Sequence, residues 1–172
     1  MGSINISKIT HGYRNADKRP QQKGLNDSGD CMLDVDCSVG DDWQAQKEHN
    51  KRAVALIVIN NSLCSGNLIN NTSNDGTPFF LTADHCMEGN NPSTVSFLFD
   101  WISPVPQCAT YNNSQGGPQS MTVSGSILRA ADPLSDFALL EITQSIPSSW
   151  NRVYAGWDLS LIHISEPTRH RQ

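Results

Sequence analysis

Six short runs rich in Val, Ile, Leu and Phe lie between Arg52 and Ile142: "RAVALIVIN", "LCSGNLI", "PFFLTA", "TVSFLFDW", "MTVSGSILRA" and "DFALLEI". Between them stand "NS", "NNTSNDGT", "MEGNNPS" and "QCATYNNSQGGPQS", segments whose Asn, Gly, Pro and Ser turn the chain. β-Branched and aromatic residues suit a pleated strand, and no apolar spacing of 3.6 persists over three turns. The expectation is an all-β chain, a small antiparallel barrel or sandwich of six strands, with one short helical turn near Ala83 to Met87. The longest apolar run, "AVALIVI" from Ala53 to Ile59, falls far short of the ~20 residues of a membrane-spanning helix. A net charge of -5, with the basic residues scattered or terminal, excludes a phosphate-binding surface and hence a nucleic-acid partner. No membrane partner is expected either.

Cys31, Cys37, Cys64, Cys86 and Cys108 show none of the close CxxC pairing of zinc ribbons. Disulfides in an oxidising compartment are the better reading, and an odd count leaves one thiol free or paired outside this chain. Residues 1–23 are polar, carry "KRPQQKG" at Lys18 to Gly24, and lack the apolar stretch of a signal peptide. They read as a linker or the end of a propeptide, with cleavage after Lys23. At the other end, "LSLIHISEPTR" resembles the in-frame translation of a transposase adaptor used in preparing sequencing libraries. Residues 159–172 are therefore expected to be non-native, with native sequence stopping at about Asp158.

The chemistry concentrates at "FFLTADHC", Phe79 to Cys86, where an apolar run ends in a histidine. An imidazole acts as a general base when a carboxylate fixes its tautomer and stabilises its charged form. Asp136, at the head of the strand-like "DFALLEI", is the candidate, expected buried and held firmly beneath the His85 ring. Asp84 is the rival, but a neighbouring side chain points away from the ring, so it is expected to be solvated or capping. A bond from Cys86 to Cys64 on the second run would staple the His85 loop to the barrel, contributing on the order of 3 kcal/mol.

"GDCMLDVDC", "DDWQ", "KRAVALI", "LCSGNLINNTSNDGTPFFLTADHC", "SDFALLEI" and "YAGWD", taken together and in this order, resemble the lysyl endopeptidase family of trypsin-like serine proteases secreted by bacteria. The resemblance covers residues 24–158. It implies a two-barrel chymotrypsin-like fold of which this chain holds the N-terminal barrel and lacks most of the C-terminal one. It also implies His85 as general base, Asp136 as the triad aspartate, and disulfides Cys64–Cys86 and Cys37–Cys108, the longer loop contributing on the order of 4 kcal/mol. Cys31 matches a cysteine whose family partner lies in the second barrel, so it is unpaired here. The implied substrates are proteins or peptides, cleaved after Lys by a monomeric enzyme without metal or organic cofactor.

The departure is a missing nucleophile: no GxSGSP or GDSGGP segment occurs. "VSGS" at Val123 to Ser126 precedes Asp136 inside a strand-like run and makes a poor substitute. Histidine and aspartate without serine form no acyl-enzyme, so the chain as written is expected to be inert, its parent active. Strands meant to face a second barrel would expose apolar surface and promote association. The rival class is a non-catalytic disulfide-stapled β-domain binding carbohydrate or protein, with Trp43, Trp101, Trp150 and Trp157 as its platform. Core packing is the commoner use of such residues. "DVDCSVGDD" fails the spacing of a calcium loop, and zinc at Cys64, His85 and Cys86 lacks a fourth ligand. Asn-x-Ser/Thr triplets, among them those at Asn5, Asn60, Asn70, Asn71 and Asn112, are expected by chance in a chain this rich in Asn and Ser.

Overall fold

A computed structural model describes residues 33–38, 44–60, 62–108 and 115–157. Cys31, Trp43, Asn5, Asn112, the 1–23 segment and the 159–172 tail lie outside the described residues. The elements are α1 (Gln44–Asn50), β1 (Val54–Ile59), β2 (Ser62–Ile69), β3 (Phe79–Thr82), α2 (Asp84–Met87), β4 (Ser96–Phe99), β5 (Thr122–Ser124), β6 (Ser126–Asp132) and β7 (Phe137–Ile142). Among the described residues no helix is long and apolar enough to cross a membrane.

The seven strands form one antiparallel sheet in the order β5-β4-β1-β2-β3-β7-β6. The expected fifth run, "MTVSGSILRA", is two strands, because the chain bends at Gly125 (φ +86°). Glycine reaches that left-handed backbone without steric cost. The consequence is topological: β5 pairs with β4 and β6 pairs with β7, so the two edges of the sheet are consecutive in the chain. Gly125 itself donates to Val95 O and accepts from Thr143 N–H, bridging the two sides. The sheet is thereby curled toward itself.

Alternation along the strands fills the concave face. In β1 the buried positions are Ala55, Ile57 and Ile59; in β7 they are Ala138, Leu140 and Ile142. Leu68, Phe80, Val95, Phe97, Phe99 and Val123 complete the core, and Phe80 meets Phe97 edge-on with centroids 4.9 Å apart. Each large apolar side chain removed from water contributes about 1.5–3 kcal/mol, so these positions outweigh any single polar contact in the fold. Trp150 packs against this cluster, with its ring 6.3 Å from that of Phe99.

Two features lay outside the sequence pattern. α1 is less than two turns of "QAQKEHN", too short and too polar to show a 3.6 period. Arg152 grips Asp100 through two 2.7 Å hydrogen bonds while its guanidinium carbon lies 5.6 Å from the Phe99 ring centre. That fork ties the segment after β7 to the end of β4.

The exposed side carries its own pattern. Ile127, Leu128, Leu134 and Phe137, on and between β6 and β7, are all solvent-exposed, Leu134 almost completely at 96%.

Candidate active site

Local hydrogen bonds place the histidine. β3 ends at Thr82, whose hydroxyl donates to Ser65 O at 2.9 Å and fastens the strand end to β2. The chain then enters α2 in a single turn, with Ala83 as its N-cap and Asp84 in the first turn. Asn90 closes the exit by donating its amide to Cys86 O and Glu88 O, each at 3.1 Å. Cys86 is joined to Cys64 on β2, with Cα atoms 6.3 Å apart. His85 is therefore held on both sides along the chain and by a cross-link to the sheet.

Asp136 arrives from the opposite direction, at the end of the β6–β7 turn. Asp132 organises that turn: its carboxylate accepts from the Leu134 and Ser135 main-chain N–H groups and from the Ser135 hydroxyl. Asp136 has φ of +53°, a left-handed conformation that aspartate tolerates better than most residues. β7 follows directly and pairs with β3, Thr82 opposite Ala138, which brings the Asp136 carboxylate to the start of α2.

There the two residues meet. Asp136 Oδ1 accepts the His85 main-chain N–H at 3.0 Å, and the imidazole Nδ1 lies 2.8 Å from Oδ2 and 3.1 Å from Oδ1. A carboxylate only accepts, so Nδ1 carries a proton, and in the neutral ring that assignment leaves the lone pair on Nε2. The His85 main-chain N–H, followed by the ring, holds the Asp136 carboxyl below its ordinary value and keeps it ionised. Asp84, the rival carboxylate, has no hydrogen bond to the ring.

One expectation is corrected: Asp136 is not buried. Its side chain is 50% exposed and that of His85 67% exposed, because nothing among the described residues covers this face of the sheet. Water therefore screens the pair, and its geometry comes from hydrogen bonds rather than from a low dielectric.

The second cross-link lies away from this site. Cys37 is bonded to Cys108, with Cα atoms 5.6 Å apart. Alongside it, Asp34 N–H donates to Gln107 O and Gln107 N–H donates to Asp34 Oδ2. A cleft of about 530 Å³ flanked by Lys51, Arg52, Asp100 and Arg152 is also separate, and neither His85 nor Asp136 lines it.

One ligand atom each from Cys64, His85 and Cys86 lies within 4.8 Å of the other two. While the two sulfurs are bonded to one another they are not thiolates and do not ligate a metal. Ser124 and Ser126, which bracket Gly125, engage Ser96 and the Pro92 carbonyl respectively. Neither hydroxyl is hydrogen-bonded to His85.

Sequence reasoning passed over Asp132 and Asp75, both of which order loops. Asp75 accepts from the Thr77 hydroxyl at 2.6 Å, the Thr77 main-chain N–H at 2.9 Å and the Asn71 amide at 2.8 Å. These bonds, the Thr77 hydroxyl first, lower its carboxyl to about 2. The signals were present as Asp-Pro at residues 132–133 and Asn-Asp-Gly at 74–76, both turn formers.

Comparison with known proteins places the chain among relatives of lysyl endopeptidase. Over 167 residues the chain is 25% identical to a protein named lysyl endopeptidase from Pseudomonas aeruginosa, an alignment covering 92% of this chain and 35% of that protein's length. The chain thus spans about a third of that relative. The model of the family described as "Lysyl endopeptidase, C-terminal domain" matches residues 25–169, most of the sequence, and the chain belongs to that family.

Proposed function

We propose that this chain is the first barrel of a two-barrel, chymotrypsin-like serine endopeptidase, secreted, that cleaves peptide bonds after Lys. The observation that carries the proposal is the double hold of Asp136 on His85, through the main-chain N–H and through Nδ1. A domain that only bound sugar or protein would have no use for an imidazole oriented by a carboxylate at Nδ1, with Nε2 facing only the Cys86 sulfur at 3.6 Å and the ring largely exposed.

In the mechanism this geometry supports, a serine from outside these 172 residues attacks the scissile carbonyl while Nε2 of His85 takes its proton. Nε2 then delivers that proton to the departing amine. Asp136 accepts the Nδ1–H bond throughout and stabilises the imidazolium between the two transfers. A second barrel lies over the exposed dyad and against Ile127, Leu128, Leu134 and Phe137, removing water and strengthening the charge pair. The two disulfides fit an oxidising, extracellular setting. Lysine preference rests on the family alone, because the residues that would hold the ammonium belong to the second barrel.

The test is to express the whole reading frame of the source locus and assay peptides with Lys, Arg or Leu before the scissile bond. Cleavage after Lys that is abolished both by His85→Ala and by an organophosphorus serine reagent is the expected result. A folded full-length protein that cleaves none of them, or that cleaves equally well with His85→Ala, overturns the proposal and leaves a binding domain as the reading.

A further inference from the structure

We propose that Asp132 is a positioning residue for the His85–Asp136 pair: by holding the β6–β7 turn, it keeps Asp136 in the left-handed backbone conformation from which one carboxylate reaches both the His85 main-chain N–H and the ring.

The turn needs such a hold. Asp136 is the last of four turn residues, 133–136, that lie between the paired Asp132 and Phe137. Its φ is +53°, a conformation that tight turns usually give to glycine. Glycine would supply no carboxylate, and a residue with a side chain stays in that region only where its surroundings fix it.

Packing does not fix it. Every residue from Pro133 to Phe137 is exposed, Leu134 at 96%. The restraint is polar: Asp132 Oδ1 accepts the Leu134 main-chain N–H at 3.2 Å, and Oδ2 accepts the Ser135 main-chain N–H at 3.2 Å together with the Ser135 hydroxyl. The two residues immediately ahead of Asp136 are thus tied to one carboxylate. Asp132 is itself anchored as the last residue of β6, opposite the first residue of β7. Its bonds, the Ser135 hydroxyl first, hold its carboxyl below the ordinary value, so it is ionised wherever an imidazole is neutral.

Asp132 is hydrogen-bonded to neither His85 nor Asp136, so it acts through the backbone. Asp132 orders the turn, the turn sets Asp136, and Asp136 holds His85. The effect on the ring is independent of any activity, whereas an effect on turnover rests on the protease reading.

The test compares the ¹⁵N spectrum of the His85 ring, recorded on the full chain where the imidazole is neutral, among the native protein, Asp132→Ala, Asp132→Asn and Ser135→Ala. Asp132→Ala should lose most of the preference for a protonated Nδ1 while keeping its β-sheet circular dichroism. Asp132→Asn, which keeps one accepting oxygen, should retain more of it, and Ser135→Ala, which removes one bond and no charge, should fall between the native protein and Asp132→Ala. In the protein expressed from the whole reading frame, Asp132→Ala should lower kcat for a lysyl peptide by about 10²-fold at unchanged KM, with Asp132→Asn recovering part of the loss. A folded Asp132→Ala with the native ring spectrum overturns the proposal, because Asp132 would then stabilise the turn and nothing more. Equal losses in Asp132→Ala and Asp132→Asn overturn it too, since charge rather than hydrogen bonding would be at work. Should Asp132→Ala not fold, Ser135→Ala decides, and a native ring spectrum in that variant overturns the proposal. A full-length protein that cleaves no lysyl peptide removes the protease reading and leaves the ring spectra to judge Asp132, so the two failures are distinguishable.

Discussion

Asp136 holds His85 at two points, accepting its main-chain N–H at 3.0 Å through Oδ1 and facing its Nδ1 at 2.8 Å through Oδ2. The first bond fixes the backbone, the second fixes the ring, and together they define the tautomer. On the proposed protease reading, Asp136→Asn in the full-length protein should lower kcat by about 10⁴-fold, because an amide in that place favours the wrong tautomer. His85→Ala should lower it further, by about 10⁶-fold. On that same reading KM for a lysyl peptide should change little in both, since the roles proposed for the two residues lie in proton transfer. Steady-state kinetics of the two variants checks the order and the split.

The two cross-links should differ in weight. Cys64–Cys86 closes a separation of 22 residues and Cys37–Cys108 one of 71. Loop entropy puts them at on the order of 3 and 4 kcal/mol. Replacing Cys37 and Cys108 by Ala should therefore cost more stability in urea unfolding than replacing Cys64 and Cys86. The opposite order would show that the short staple also relieves strain around His85.

Gly66 lets β2 pass close to β3. A Cβ there would stand 2.3 Å from Leu81 O and 2.5 Å from the Phe80 ring. Backbone and core ring are the obstacles, so no flexible side chain can yield. Gly66→Ala should destabilise the fold by about 1–3 kcal/mol, read as a lower urea midpoint with an unchanged m-value.

Acid should release the β2–β3 loop. Asp75 has its carboxyl lowered from 3.8 to about 2, so it binds a proton more readily in the unfolded chain. Its contribution to stability is complete above pH ~4 and is lost as the pH falls toward 2. NMR titration of the Asp75 carboxyl should show a midpoint near 2. In parallel, the stability difference between the native chain and Asp75→Asn should shrink over that interval, and a constant difference would count against the hydrogen bonds to Thr77 and Asn71.

Much of the fold was legible because apolar alternation reports burial directly. β1 and β7 show it plainly, and α2 fell where the apolar run of β3 gives way to "DHCM". The bend at Gly125 was not legible, since a strand that changes partners keeps its composition, and one glycine in "VSGS" does not distinguish a bulge from a corner. α1 escaped for lack of an apolar face. At the site, His85 and Asp136 were nameable from the sequence, whereas the exposure of their side chains depends on what covers them, which no local pattern records. The proximity of His85 Nε2 to Cys86 Sγ is likewise a matter of rotamers.

The measurement that tests the central claim most directly is the ¹⁵N NMR spectrum of the His85 ring in this chain, recorded where the imidazole is neutral, beside the same spectrum of Asp136→Asn. The account predicts a protonated Nδ1 and a bare Nε2 in the native chain, and loss of that preference in the variant. A protonated Nε2 in the native chain, or a spectrum unchanged by Asp136→Asn, would contradict it, because His85 would then have no lone pair poised to take a proton and no carboxylate holding it there.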